Sequence, residues 1–381
     1  MPFPFNYPWP STFYLVLYVA TFVLHHVAMH YVVAGCLVVA LRALLPRSIA
    51  LGSGTERVID HIRGWLPFSL GAAITAGVAP LLFVQILYPN HFYTANLLLS
   101  WRWMIVVPVL IVSFYLLYLL KSDMYLRFSP WLRATIALGT AGMFLFVGFC
   151  WTANHLLSNQ PAAWPEVYLT GDLPLAPLVV IARTLIWLGA ALVTLATIVV
   201  WQLRWSITGK EEGENPVNLI LPQMLALAGL VILALATAGY LVAVPAAERA
   251  LLGTGSGLLY VAVIVVCCLG MAGLWWVMTK GLVPPLVSLS AVTGAMALAW
   301  LALGMLREQV RVAAIDFEAL LPQHAEMAKI QGLWLFLLLA VINGGLIAWC
   351  FMLVRKGLKT GTTSANLPAA DQSPPAPPAE A

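Results

Sequence analysis

The sequence predicts an all-α integral membrane protein of nine transmembrane helices, with its N-terminus outside and its C-terminus cytoplasmic. Three observations predict it: the composition, nine long apolar runs, and the placement of basic residues between them. Of 381 residues, 62% are hydrophobic and 9% charged, with a mean hydropathy of +0.92. A soluble domain carries roughly 25% charged and about 45–50% apolar residues, so this chain lacks the polar surface to cover a water-soluble globule. The 19 basic and 15 acidic residues leave a formal charge of +4, which suits cytoplasmic loops and makes no basic face for nucleic acid.

A spanning helix needs about 20 apolar residues. Runs of that kind lie at 12–41, 66–88, 97–120, 132–156, 174–203, 218–245, 255–279, 284–306 and 331–354. None alternates with the period of a strand, so a β-barrel is not predicted. The expected organisation is an outer segment at 1–11, a first four-helix bundle at 12–157, and an outer loop with the fifth span at 158–203. A second four-helix bundle follows at 204–356, then a Pro/Ala-rich, disordered cytoplasmic tail at 357–381. The start, MPFPFNYPWPS, has neither the basic n-region nor the small-residue cleavage site of a signal peptide. Two stretches read as interfacial amphipathic pieces, Thr55–Trp65 inside and Phe317–Lys329 outside.

Orientation follows from the basic residues. With the N-terminus outside, the inner segments hold thirteen: Arg42, Arg47, Arg57, Arg63, Lys121, Arg127, Arg133, Arg204, Lys210, Lys280, Arg355, Lys356 and Lys359. The outer segments hold six: Arg102, Arg183, Arg249, Arg307, Arg311 and Lys329. That bias fits the positive-inside rule. The five cysteines, Cys36, Cys150, Cys267, Cys268 and Cys350, lie in apolar runs without a CxxC or CxxCH, as buried structural cysteines do.

Ionisable residues are costly in a membrane, so those within spans are functional candidates. The first span carries LHHVAMHYVVAG, with His25, His26 and His30 near its middle. His26 and His30 share a face one turn apart, as do His25 and Met29. Imidazole is a common haem ligand and methionine an axial ligand in some cytochromes, so a redox cofactor is one reading. A proton relay and plain packing are the others. The eighth span ends in LGMLREQVRVAAID, where Glu308 and Arg311 stand one turn apart beside Arg307. These read either as an interfacial ion pair with snorkelling arginines, or as an inward carboxylate that ligates a metal or handles protons. His91, His155 and His324 fall in loops or outer helix ends, where a solvated histidine is the commoner case; His155 stands out beside Trp151 and Asn154. His61 reads as interfacial, and Pro80 and Gln85 as a kink and a hydrogen-bonding group in the second span. Trp101, Trp103, Trp164 and Tyr168 fit an outer aromatic belt.

These residues together resemble cytochrome bd oxidase subunit I. In that family a ligand histidine lies nine residues before a glycine in the first span, and here His26 stands nine residues before Gly35. The run GVAPLLFVQILYPNHFYTAN is similar to the family's second span and outer loop, and LREQVR to its glutamate ligand followed three residues later by arginine. The resemblance implies His26 and Glu308 as axial ligands of two haems b near the outer side, with Arg311, beside Arg307, on a propionate. His25, His30 and His155 are further candidate cofactor-binding residues. The family's large outer loop between spans six and seven is here about ten residues, Ala246–Gly255, and the fifth span offers Arg183 and no histidine. The expectation is therefore a divergent relative without the quinol-oxidation loop. It would be a haem b-containing subunit of a respiratory complex in the bacterial inner membrane, beside other membrane subunits. Electrons would come from an outer c-type cytochrome and pass to oxygen, another small acceptor or a quinone. The alternative is a haem-free anchor or transporter-like companion whose first-span histidines handle protons.

Overall fold

The computed structural model describes residues 5–45, 54–207, 219–278, 285–330 and 333–364. Among the described residues every regular element is a helix. The chain runs through α1 (Trp9–Leu44), α2 (Thr55–Leu87), α3 (Pro89–Leu99), α4 (Trp101–Met104), α5 (Val106–Lys121) and α6 (Asp123–Arg127). It continues with α7 (Pro130–Ser158), a 3-10 turn at Pro161–Ala163, α8 (Trp164–Thr170), α9 (Pro177–Ile207) and α10 (Ile220–Ala243). Then follow α11 (Ala246–Leu252), α12 (Gly255–Met278), α13 (Leu286–Ala314), α14 (Phe317–Ile330) and α15 (Leu333–Ser364). Prolines open several of these helices, where a missing N–H costs nothing; α7 starts at Pro130, with the Ser129 hydroxyl accepting from the Leu132 amide at 3.4 Å.

Among the described residues eight runs are long and apolar enough to cross a membrane: α1, α2, α4 with α5, α7, α9, α10, α12 and α13. The chain is thus an all-α, multi-pass membrane protein. In α15 the apolar part is shorter, Trp334–Leu346.

The first four runs pack in a ring, α1 on α2 and α7, and α5 on α2 and α7. Helices α9, α10, α12 and α13 share a second core, in which Val193, Leu230, Trp275 and Val292 meet. In that core α9 crosses α10 closely. A Cβ on Gly189 would lie 2.7 Å from the Gly229 carbonyl oxygen, and one on Gly229 would lie 2.6 Å from that of Gly189. Only glycine permits such an approach. Contact of α1 with α13 joins the two groups, while α15 belongs to a separate compact unit.

Several expectations change. The fifth span shares its core with the sixth to eighth, through the Gly189–Gly229 crossing. Thr55–Trp65 is no separate interfacial piece but the first turns of α2, with Ile62 and Arg63 buried. The Arg63 guanidinium escapes water by donating to the Leu120 carbonyl at 2.8 Å. The third span begins at Trp101, since Ser100 (φ 53°) breaks the chain and leaves Leu97–Leu99 on α3. Helix α15 runs to Ser364, past the expected boundary at 357, as the next proline is Pro368. Residues 365–381 of the expected tail, residues 1–4 and the basic residues Arg47, Lys210 and Lys280 lie outside the described residues.

Candidate functional site

The helices enclose a cavity of about 580 Å³. Its walls come from α1, α2, α7, α9, α10, α11, α12 and α13 and are mostly apolar. The histidines and arginines on them are His25, His26 and His30 of α1, His155 of α7, and Arg183, Arg249, Arg307 and Arg311.

The hydrogen bonds fix the tautomers of the α1 histidines. His25 Nδ1 lies 2.8 Å from the Ala73 carbonyl oxygen, and His26 Nδ1 lies 2.8 Å from that of Phe22. A carbonyl only accepts, so both Nδ1 atoms carry the proton. His30 Nδ1 meets Thr194 Oγ1 at 3.0 Å. That hydroxyl gives its hydrogen to the Ala190 carbonyl at 2.8 Å and accepts from Trp300 Nε1 at 3.2 Å, so His30 Nδ1 donates as well. All three imidazoles therefore keep an Nε2 lone pair. His30 Nε2 is buried with no partner. This is how a metal-bound histidine is held, with its other ring nitrogen donating to an oxygen.

Aromatic rings set the imidazole planes. Phe22 lies 4.0 Å from His26 between ring centroids, and Trp187 stands edge-on to both His26 and His30 at 5.5 Å. His25 fits only because residue 77 is glycine, for a Cβ there would lie 2.8 Å from its Nδ1. Among the described residues no three His, Cys, Asp or Glu side chains converge to hold a bare metal ion. Iron in a porphyrin takes four ligands from the macrocycle and needs only one or two from protein. The donor set therefore fits haem: free Nε2 lone pairs on an apolar cavity, with arginines nearby for propionates.

Glu308 sits beside the cavity rather than on its wall, 1% exposed. Its Oε1 accepts from Arg307 at 2.8 Å, and its Oε2 accepts from Tyr88 at 2.9 Å and Arg311 at 3.4 Å. Tyr7 donates in turn to the Tyr88 hydroxyl at 3.2 Å. Burial, then the Glu308 charge, holds the Tyr88 hydroxyl well above the usual phenol range, so it stays a neutral donor. Arg307 also donates to Tyr18 Oη at 2.8 Å and lies over the Phe22 ring, while Arg311 lies over Tyr88. The exposed, snorkelling ion pair is thereby overturned: α13 continues to Ala314 and carries the cluster inward.

His91, His155 and His324 are not solvated loop residues. His91 lies on α3, its ring 5.6 Å from Trp164, and burial, then Arg311, holds its pKa below the ordinary value. His324 is 4% exposed: its Nε2–H donates to the Leu87 carbonyl at 2.7 Å, and its Nδ1 accepts from the Ser11 hydroxyl at 2.8 Å. Tyr7 stacks on that ring at 5.4 Å. His155 is 1% exposed, with Arg183 donating to its Nδ1 at 3.1 Å. Its tautomer is therefore the reverse of the α1 histidines', with the proton on Nε2. Pro80 lines the cavity and Gln85 does not. Sequence reasoning missed Tyr88, Thr194, Trp187 and Trp300. Only partner geometry marks them, since tryptophans, tyrosines and threonines are ordinary in apolar helices.

No protein-family model, curated protein or solved structure matches the chain. A functional reading therefore stands on the site's own chemistry.

Proposed function

We propose that the chain is a haem b-binding, electron-transferring subunit of a respiratory complex in the bacterial inner membrane, distantly related to the bd-type oxidases. The observation that carries the reading is the shared tautomer of His25, His26 and His30 on the cavity wall, each with Nδ1–H fixed and Nε2 left as an acceptor. When bound, haem b would supply reversible one-electron transfer.

The chain's own residues do the rest. His26 or His30 offers the axial nitrogen, and the bonds to Phe22 and Thr194 orient the rings. Arg307 and Arg311 offer donors for propionates. Glu308, with both oxygens engaged, serves as counter-ion to these arginines rather than as an iron ligand. The apolar wall excludes water, which favours neutral imidazole as ligand. In this reading α15 supplies a ninth span, the N-terminus is outside, and the basic bias of thirteen to six puts the arginine end on the outer side. An outer c-type cytochrome could then deliver electrons over a short distance.

The test is haem content and the reduced-minus-oxidised spectrum of His25→Ala, His26→Ala and His30→Ala proteins. Loss of haem in the His26 or His30 variant supports the reading, and full retention in all three contradicts it.

A further inference from the structure

Two residues of the cavity wall, His155 and Arg311, each carry a buried hydrogen-bond donor with no acceptor among the described residues. His155 is 1% exposed, and Arg183 donates to its Nδ1 at 3.1 Å. Because arginine can only donate, the ring keeps its hydrogen on Nε2, at the edge away from Arg183. The second donor is the Nε–H of Arg311, a residue 2% exposed whose Nη1 donates to Glu308 at 3.4 Å. A buried donor without an acceptor is costly, and more so on a charged group.

The same helical turn holds both residues. Asn154, next to His155 on α7, donates to the Phe92 carbonyl at 3.3 Å, and the Phe92 amide donates to the Tyr88 carbonyl at 2.8 Å. The Arg311 guanidinium lies over the Tyr88 ring, 4.5 Å from its centroid, and the charges of Arg307 and Arg311 both act on the His155 ring. Arg307 and Arg311 share the single carboxylate of Glu308, so this corner holds one positive charge in excess. The other two cations on the wall are answered elsewhere. Arg183 reaches the Glu248 carboxylate through the Tyr240 hydroxyl, by contacts of 3.3 Å on either side. Arg249 has no carboxylate partner among the described residues, but it is exposed, where solvent screens its charge.

We propose that His155 Nε2–H and Arg311 Nε–H bind one small monoanion of the halide class, such as chloride. A spherical anion accepts from two donors at once without an orientation of its own. Its one negative charge answers the one excess cation in a water-poor, apolar surrounding, where the pairing is strong. Water would satisfy the same donors and leave the charge standing. An ion of this size takes little of the cavity, so the proposal does not rest on bound haem.

The experiment is equilibrium dialysis of the purified full-length protein in detergent against radiolabelled chloride, with gluconate holding the ionic strength constant. The expected result is one saturable chloride per chain, displaced by bromide and not by gluconate. His155→Leu removes one donor, and Arg311→Lys keeps the charge beside Glu308 but removes the Nε–H. Each is expected to weaken binding about tenfold, as loss of a hydrogen bond to a charged group implies. Arg249→Gln, at the exposed cation, is expected to leave binding unchanged. The absence of saturable binding in the wild type overturns the proposal, and so do unchanged affinities in both His155→Leu and Arg311→Lys. Equal weakening in Arg249→Gln makes the anion a diffuse counter-ion and overturns it as well. Haem measured on the same samples separates the two readings. A colourless wild type that binds chloride through His155 and Arg311 contradicts only the haem assignment. A haem-loaded wild type that binds no chloride, and loses haem in both variants, places a propionate on these donors and overturns this one.

Discussion

Glu308 illustrates what a single buried charge does in an apolar bundle. It holds two guanidinium groups and a tyrosine, so its removal leaves Arg307 and Arg311 without a counter-ion. Breaking a buried pair by deleting one partner costs about 3–5 kcal/mol. Glu308→Gln is therefore expected to lower the thermal midpoint in detergent sharply. Tyr88→Phe removes one donor from Glu308 and costs less, about 1–3 kcal/mol. Equal effects of the two variants would refute this ordering. At the same scale, Thr194→Val removes the acceptor for the His30 Nδ1–H and frees that ring, and Thr194→Ser restores it. If His30 is the haem ligand, the haem spectrum shifts in the first variant and returns in the second. His26 and Gly35, nine apart, were readable in the sequence; the tautomers of His25 and His30 were not, because they depend on oxygens brought from α2 and α9.

At the scale of elements, packing is decided by small residues and by one histidine clasp. Gly189 and Gly229 let α9 and α10 touch through their backbones, and Gly229→Val inserts a branched side chain where 2.6 Å is available to a Cβ. Overpacking of this kind costs about 1–3 kcal/mol, and its signature is a lowered melting temperature. Hydropathy marks both helices as spans but carries no information on this crossing. His324 ties α14 to α1 and α2 through Ser11 and the Leu87 carbonyl. Burial holds its pKa below the ordinary value of about 6.5, the Leu87 bond opposing in part. The unfolded ring then binds more protons than the folded one, so the clasp weakens as pH falls below about 6.5. Hydrogen exchange in α14, corrected for intrinsic rate, should rise between pH 7.5 and 5.5 and lose that dependence in His324→Leu. A pH-independent wild type would contradict the clasp.

For the molecule as a whole, composition and run length sufficed to read an all-α membrane protein, since 62% hydrophobic residues admit little else. Span ends were less legible. The Thr55–Trp65 stretch looked interfacial because its charges are visible in sequence, while the carbonyls that receive Arg63 are distant in the chain. His324 and His155 looked solvated for the same reason. Orientation is testable by labelling single cysteines placed at Tyr168 and Arg127 in a cysteine-free background. In intact cells an impermeant maleimide should reach the first and not the second, and the reverse pattern would invert the topology. The proposed haem role of the α1 histidines is read out by a pyridine haemochrome assay, with a reduced-minus-oxidised spectrum, on wild-type protein purified from a host that makes ample haem b. Haem b at one per chain, lost in the His26 or His30 variant, is the predicted result. Colourless protein that is folded by circular dichroism and monodisperse would contradict it.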